Sequence, residues 1–123
     1  DKPIVSVQGD SAFGFTGMEI ETMIRYNLPV KMIVLNNGGI GGHSGSTEPP
    51  APGEIQPPGN LTYGARYDRM VEGLGGKGWY IEDPKDLRAA LDEAMAHDGP
   101  TLINVALNIR SGRKPQEHGW LTQ

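Results

Sequence analysis

Four short apolar runs, separated by stretches with helical spacing, constrain this chain more than any other feature. Ile4-Val5-Ser6-Val7, Val30-Lys31-Met32-Ile33-Val34-Leu35, Trp79-Tyr80-Ile81 and Leu102-Ile103-Asn104-Val105-Ala106-Leu107 are rich in β-branched or aromatic residues. They are short and bounded by Gly, Pro, Asn or Asp, so each reads as a buried strand. Between the first two, Met18, Ile20, Met23 and Ile24 mark one face of a helix over 17–26, which Pro29 terminates. Tyr67, Met70, Val71 and Leu74 line a second helix over 63–74, closed by Gly75-Gly76. Asp83-Pro84 supplies an N-cap and a first-turn proline for a third, whose apolar face is Leu87, Ala90, Leu91, Ala94 and Met95. Strands alternating with helices predict an α/β fold: a parallel sheet with helices on both faces. Such sheets bind ligands outside the carboxyl ends of their strands.

At 123 residues the chain fits one domain, here 1–109, followed by a polar and basic tail over 110–123. Of its 18 glycines and 10 prolines, 7 and 5 fall in residues 38–59, and the stretch up to residue 60 has neither helical nor strand period. Residues 41–60 therefore read as a mobile loop, either disordered or a cover for a site. There is no cysteine, which excludes disulfides and thiolate metal sites and fits a cytoplasmic protein. A net charge of -4 argues against nucleic acid as a partner. No apolar run approaches the roughly 20 residues that span a bilayer, so no membrane partner is expected. Asp1-Lys2-Pro3 leads straight into a strand, so no signal peptide is expected, and the absent initiating Met suggests a processed chain or a piece of a longer one.

Two signals fall at strand ends. Asp10 follows the first strand, and Asn36-Asn37-Gly38-Gly39 follows the second. If the strands are neighbours, their ends lie about 5 Å apart, and the side chains of Asp10 and Asn37 could share one ion. Mg2+ takes about six oxygens and readily shares them with phosphate. One carboxylate, one amide oxygen, one turn carbonyl, a water and two phosphate oxygens would complete such a shell. Gly14 and Gly17 would let backbone approach the phosphate, with the helix that starts near Gly17 presenting its positive end. Blander readings stand beside these. Asp10 could simply cap a turn, Asn36-Asn37-Gly38 could be only a turn, and Glu19 and Glu21 could merely compensate a helix dipole. Met18, Met23 and Met32 read as core. His43, His97 and His118 have no metal-site spacing.

The residues between these signals carry a resemblance. Gly9-Asp10-Ser11 with Asn36-Asn37 is similar to the two-part signature of thiamine-diphosphate enzymes, whose halves lie about thirty residues apart. Gly9 to Thr22, Arg25 to Pro29, Ala65-Arg66-Tyr67-Asp68 and Gly75-Gly76-Lys77-Gly78 resemble the 2-hydroxyacyl-CoA lyase and oxalyl-CoA decarboxylase group. Arg113-Lys114-Pro115-Gln116 with Trp120-Leu121-Thr122 looks closer to the lyases. Only residues 41–60 lie outside the resemblance. It implies the Rossmann-like cofactor domain of a larger enzyme. Asp10 and Asn37 would ligate Mg2+ by side chain and Gly39 by its carbonyl. Gly9, Ser11 and Ala12 would lie beside the diphosphate, and Ile40 near the thiamine ring. Arg110, Arg113 and Lys114 would meet the phosphates of an acyl-CoA. No catalytic residue is expected in this chain, because the family's glutamate belongs to another domain. A homo-oligomer of the full enzyme is implied too. One departure matters: Gly41 stands where the family has a tyrosine.

Two functional classes follow, and a third possibility is a small subunit that meets a larger, glutamate-bearing catalytic chain in trans. In one, the chain is part of a lyase that splits a 2-hydroxyacyl-CoA into formyl-CoA and an aldehyde, or of an oxalyl-CoA decarboxylase. In the other it is a non-catalytic α/β module for a ligand or partner.

Overall fold

A computed structural model describes residues 2–41 and 50–109 of the chain. The tail with Arg110, Arg113 and Lys114, and residues 42–49 with His43, lie outside the described residues. Strands β1 (Ile4–Gly9), β2 (Val30–Asn36), β3 (Lys77–Ile81) and β4 (Thr101–Ala106) form one sheet in the order β1-β2-β4-β3. Every pairing is parallel, as the alternating pattern predicts. Among the described residues four helices accompany it: α1 (Asp10–Thr16), α2 (Glu19–Arg25), α3 (Tyr67–Gly73) and α4 (Leu87–Ala96). A 3-10 turn, Pro84–Asp86, leads into α4, and the Asp83 side chain accepts the Lys85 N–H at 3.0 Å as its cap.

The helices cover both faces. On one, Phe13 of α1, Ile20 of α2 and Val71 of α3 pack on Val30, Met32 and Val34 of β2 and Leu102 of β4. Phe13 meets Tyr67 edge to face, with ring centroids 5.2 Å apart, and so ties α1 to α3. On the other, Ala90 and Ala94 of α4 pack on Ile81 and Ile103. Lys31 is buried at the amino end of the sheet, where its ammonium donates to the carbonyls of His97 and Gly99 at 2.7 and 2.5 Å. It thereby places a cation at the carboxyl end of α4. Burial pushes its pKa down, opposed by the nearby charge of Asp98.

Four readings need correction. First, the expected helix over 17–26 is α2, but a further helix, α1, precedes it where none was expected. α1 starts at Asp10, and the break falls at Gly17, where a Cβ would come within 2.9 Å of the Phe13 ring. Second, Ile4, Val5 and Val7 are not buried: they are 61, 51 and 61 % exposed. Among the described residues β1 is an edge strand with a partner only in β2, and α4 packs on the β3–β4 half of its face. Third, Met18 is not core but 62 % exposed, because it lies at the α1–α2 break. Fourth, the expected helix over 63–74 begins only at Tyr67, since Gly64 has a φ of 64°, outside the helical range; just before it, residues 59–61 pair with 38–40. There Gly39 and Asn60 form an antiparallel bridge, and Leu61 N–H donates to Gly38 O at 2.9 Å.

Phe13→Ala removes the ring that α1, α2 and α3 share, so urea unfolding is expected to show a loss of about 3–5 kcal/mol. A loss under about 1 kcal/mol would contradict this core.

Candidate functional site

The register of the sheet builds the site. Gly9, the last residue of β1, stands opposite Leu35, so the chain leaves both strands side by side. Asp10 opens α1, and Asn37, Gly38 and Gly39 form the turn after β2. Gly38 has φ of 74°, a conformation that costs a glycine least. It turns the N–H groups of Gly38 and Gly39 onto Asp10 Oδ2, at 2.8 and 3.1 Å. Ser11 N–H reaches Asp10 Oδ1 at 2.9 Å. The Asp10 carboxylate is only 1 % exposed, so these three donors replace the water it has lost.

Asn37 completes the cluster. The side-chain atom that faces Asp10 stands 3.0 Å from Asp10 Oδ1 and 2.9 Å from the carbonyl oxygen of Gly39. With the amide nitrogen there, Asn37 donates to both oxygens. Turned over, its oxygen accepts the Gly39 N–H at 3.3 Å but also faces the oxygens of Asp10 and Gly39, an arrangement that repels unless a cation sits within it. The same three residues therefore serve a hydrogen-bonded state without metal and an oxygen cluster for one, and the two differ by an amide rotation. One carboxylate, one amide and one carbonyl make a hard, all-oxygen set, suited to Mg2+ or Ca2+ rather than to softer ions. Among the described residues no three His, Cys, Asp or Glu side chains gather as a metal cluster.

The other expected residues fall around this point. Ser11 and Ala12 lie in the first turn of α1. Ile40 is exposed, and its N–H is held by Gly59 O at 2.8 Å. The helix whose start adjoins Asp10 is α1, not one starting at Gly17 as the spacing suggested. Gly14 lies within α1 with open space around it, and Gly17 packs closely against Phe13.

One group escaped the sequence reading. Asn36, next to Asn37, turns the opposite way and donates to Ala65 O at 2.9 Å and to Asn104 Oδ1 at 3.2 Å. Asn104 in turn donates to Ala65 O at 2.9 Å and to Asp68 Oδ1 at 3.2 Å. Arg66 closes the chain on Asp68 at 2.6 Å and lies 4.3 Å above the Tyr80 ring. Asn36, Asp68 and Asn104 are all buried. The available signal was Asn104 itself, an amide inside the apolar run of β4. Burial works to raise the Asp68 pKa, but the Arg66 pair and the Asn104 hydrogen bond together hold it below the usual carboxylate value.

A depressed folded pKa means that the unfolded chain binds the proton better. The stability contributed by Asp68 is thus fully present above about pH 4 and lost as pH falls through the folded value. Asp68→Asn is expected to cost about 2 kcal/mol at neutral pH. In denaturation at a series of pH values, the gap between wild type and variant should shrink below about pH 4. A gap that stays constant or widens there would contradict this assignment.

Comparison with known proteins places these residues in context. The family described as thiamine pyrophosphate enzyme, C-terminal TPP binding domain, matches residues 1–105. A 2-hydroxyacyl-CoA lyase of Arabidopsis thaliana is 42% identical over 115 residues, 91% of this chain and 20% of that protein. An oxalyl-CoA decarboxylase of Escherichia coli K12 is 40% identical over 121 residues, 98% of this chain and 21% of that protein. Among solved structures, a thiamine diphosphate-dependent 4-hydroxybenzoylformate decarboxylase of Rhodococcus jostii RHA1 aligns with a TM-score of 0.70 at 27% identity, over 88% of this chain and 20% of that one. The chain spans about a fifth of the length of the curated relatives it matches.

Proposed function

Since the chain belongs to the thiamine pyrophosphate enzymes, as their C-terminal cofactor-binding domain, we propose that Asp10, Asn37 and Gly39 hold one Mg2+ and, through it, the diphosphate of thiamine diphosphate. The observation that carries this reading is the Asn37 amide standing 3.0 Å from Asp10 Oδ1 and 2.9 Å from the Gly39 carbonyl, at the ends of two adjacent parallel strands. When bound, the cofactor supplies the carbon nucleophile and electron sink for breaking a bond beside a carbonyl. The residues of this chain anchor it. Asp10 brings the negative charge, and the Gly38 and Gly39 N–H groups fix that carboxylate so that it need not reorganise. Gly9, Ser11 and Ala12 lie beside the diphosphate in this reading, and the exposed Ile40 faces the thiamine ring.

The reaction we favour is cleavage of a 2-hydroxyacyl-CoA to formyl-CoA and an aldehyde. Oxalyl-CoA decarboxylation is the second reading, supported by nearly equal identity to that relative. Both need parts beyond the described residues: the glutamate on another domain or subunit, and a grip on the acyl-CoA for which Arg110, Arg113 and Lys114 are the candidates. A homo-oligomeric, cytoplasmic enzyme fits the reading. Among the described residues no helix is long and apolar enough to cross a membrane.

Calorimetric titration of the protein with thiamine diphosphate, with and without Mg2+, tests the anchor. Binding is expected only with Mg2+, and about a hundredfold weaker in Asp10→Asn. Metal-independent binding, or an unaffected variant, would favour the non-catalytic module instead. Product analysis separates the two reactions: an aldehyde from a 2-hydroxyacyl-CoA supports the lyase, whereas carbon dioxide from oxalyl-CoA alone supports the decarboxylase.

A further inference from the structure

The geometry points to Asn104 as a positioning residue for the metal site, acting through Asn36 on Asn37. This rests on the Mg2+ reading above. Asn36 is the last residue of β2, and its neighbour Asn37 supplies the side chain that faces Asp10. The two side chains leave the strand end in opposite directions, so whatever fixes Asn36 fixes the backbone from which Asn37 extends. Asn104 does this from β4, the strand next to β2.

Its hydrogen-bonding capacity is spent in one direction. Oδ1 accepts from Asn36, while Nδ2 donates to Ala65 O and Asp68 Oδ1. Asp68 is held in its turn by Arg66. The amide of Asn104 is therefore set by a carboxylate that can only accept, which leaves its oxygen, and not its nitrogen, facing Asn36. Asn36 must then present its nitrogen, and it shares Ala65 O with Asn104 at 2.9 Å each. The segment carrying Ala65 also reaches the turn from the other side, through Leu61 N–H on Gly38 O. The turn that holds Asn37 and Gly39 is thus held at Asn36 by the buried polar network and at Gly38 by the backbone of the segment that leads to Ala65. An apolar residue at 104 would leave Asn36 with one acceptor fewer and Asp68 with one donor fewer, yet would touch neither Asp10 nor Asn37.

A positioning role differs from simple support of the fold in what it moves. Lys31 provides the comparison: it is also buried and polar, and it bonds two carbonyls at the opposite end of the same strand. The experiment is a Mg2+ titration of thiamine diphosphate binding in the whole protein, for wild type, Asn104→Leu and Lys31→Met, with thermal stability measured alongside. The Mg2+ concentration at half-saturation is expected to rise about tenfold in Asn104→Leu. It should stay within about twofold of wild type in Lys31→Met, although both lose stability. Equal shifts in the two variants, or none in Asn104→Leu, would overturn the inference while leaving Mg2+ binding intact. A wild type that binds the cofactor without Mg2+ would sink both readings together. Should Asn104→Leu fail to fold, Asp68→Asn reads the same chain of bonds one step further out: a rise of a few fold supports it, and an unchanged midpoint overturns it.

Discussion

The Asp10 carboxylate is the interaction on which the rest of this structure depends. It is buried at the point where β1 ends and α1 begins, and it gathers three backbone N–H groups. Two of them come from the turn after β2, so one side chain ties the exits of both strands together. A buried anion costs several kcal/mol unless its environment replaces water. The N–H groups meet part of that cost. The Asn37 amide meets more of it when its nitrogen faces Asp10. A divalent cation would meet it outright, and the same amide then offers oxygen. The site is best understood as a charge held ready in a fixed place.

Fixing that place takes both halves of the fold. The apolar cores under α1, α2, α3 and α4 hold the sheet flat against its helices. They do not reach the turn after β2, which consists of polar and glycine residues. There the polar chain Arg66–Asp68–Asn104–Asn36 takes over from one side, and the pairing of residues 59–61 with 38–40 from the other. The edge of β1 and its apolar side chains stay open among the described residues, in keeping with a chain that spans about a fifth of its relatives.

Much of this was legible in the sequence because it depends on local signals. Four apolar runs and the turn at Asn36-Asn37-Gly38-Gly39 gave the parallel sheet. The Asp83-Pro84 cap gave α4. The positions of Asp10 and Asn37 just past two strands gave the pairing of their side chains. What was missed depends on contacts between distant segments. α1 was invisible because Asp10 to Thr16 has no apolar stripe: of its apolar side chains only Phe13 is buried, against α3. The exposure of β1 was invisible because Ile4-Val5-Ser6-Val7 reads alike whether a neighbour covers it or not. The network behind Asn36 joins residues 36, 66, 68 and 104, and only the amide within β4 hinted at it.

The central claim is that one cation sits among the oxygens of Asp10, Asn37 and Gly39. Diffraction from crystals of the protein grown with Mn2+ and thiamine diphosphate tests it directly, because the anomalous signal of the metal locates it without reference to the protein. The peak should fall roughly 2 Å from Asp10 Oδ1, the Asn37 amide oxygen and the Gly39 carbonyl. A peak elsewhere, or an Asn37 amide that still turns its nitrogen to Asp10 with the cofactor bound, would contradict the account.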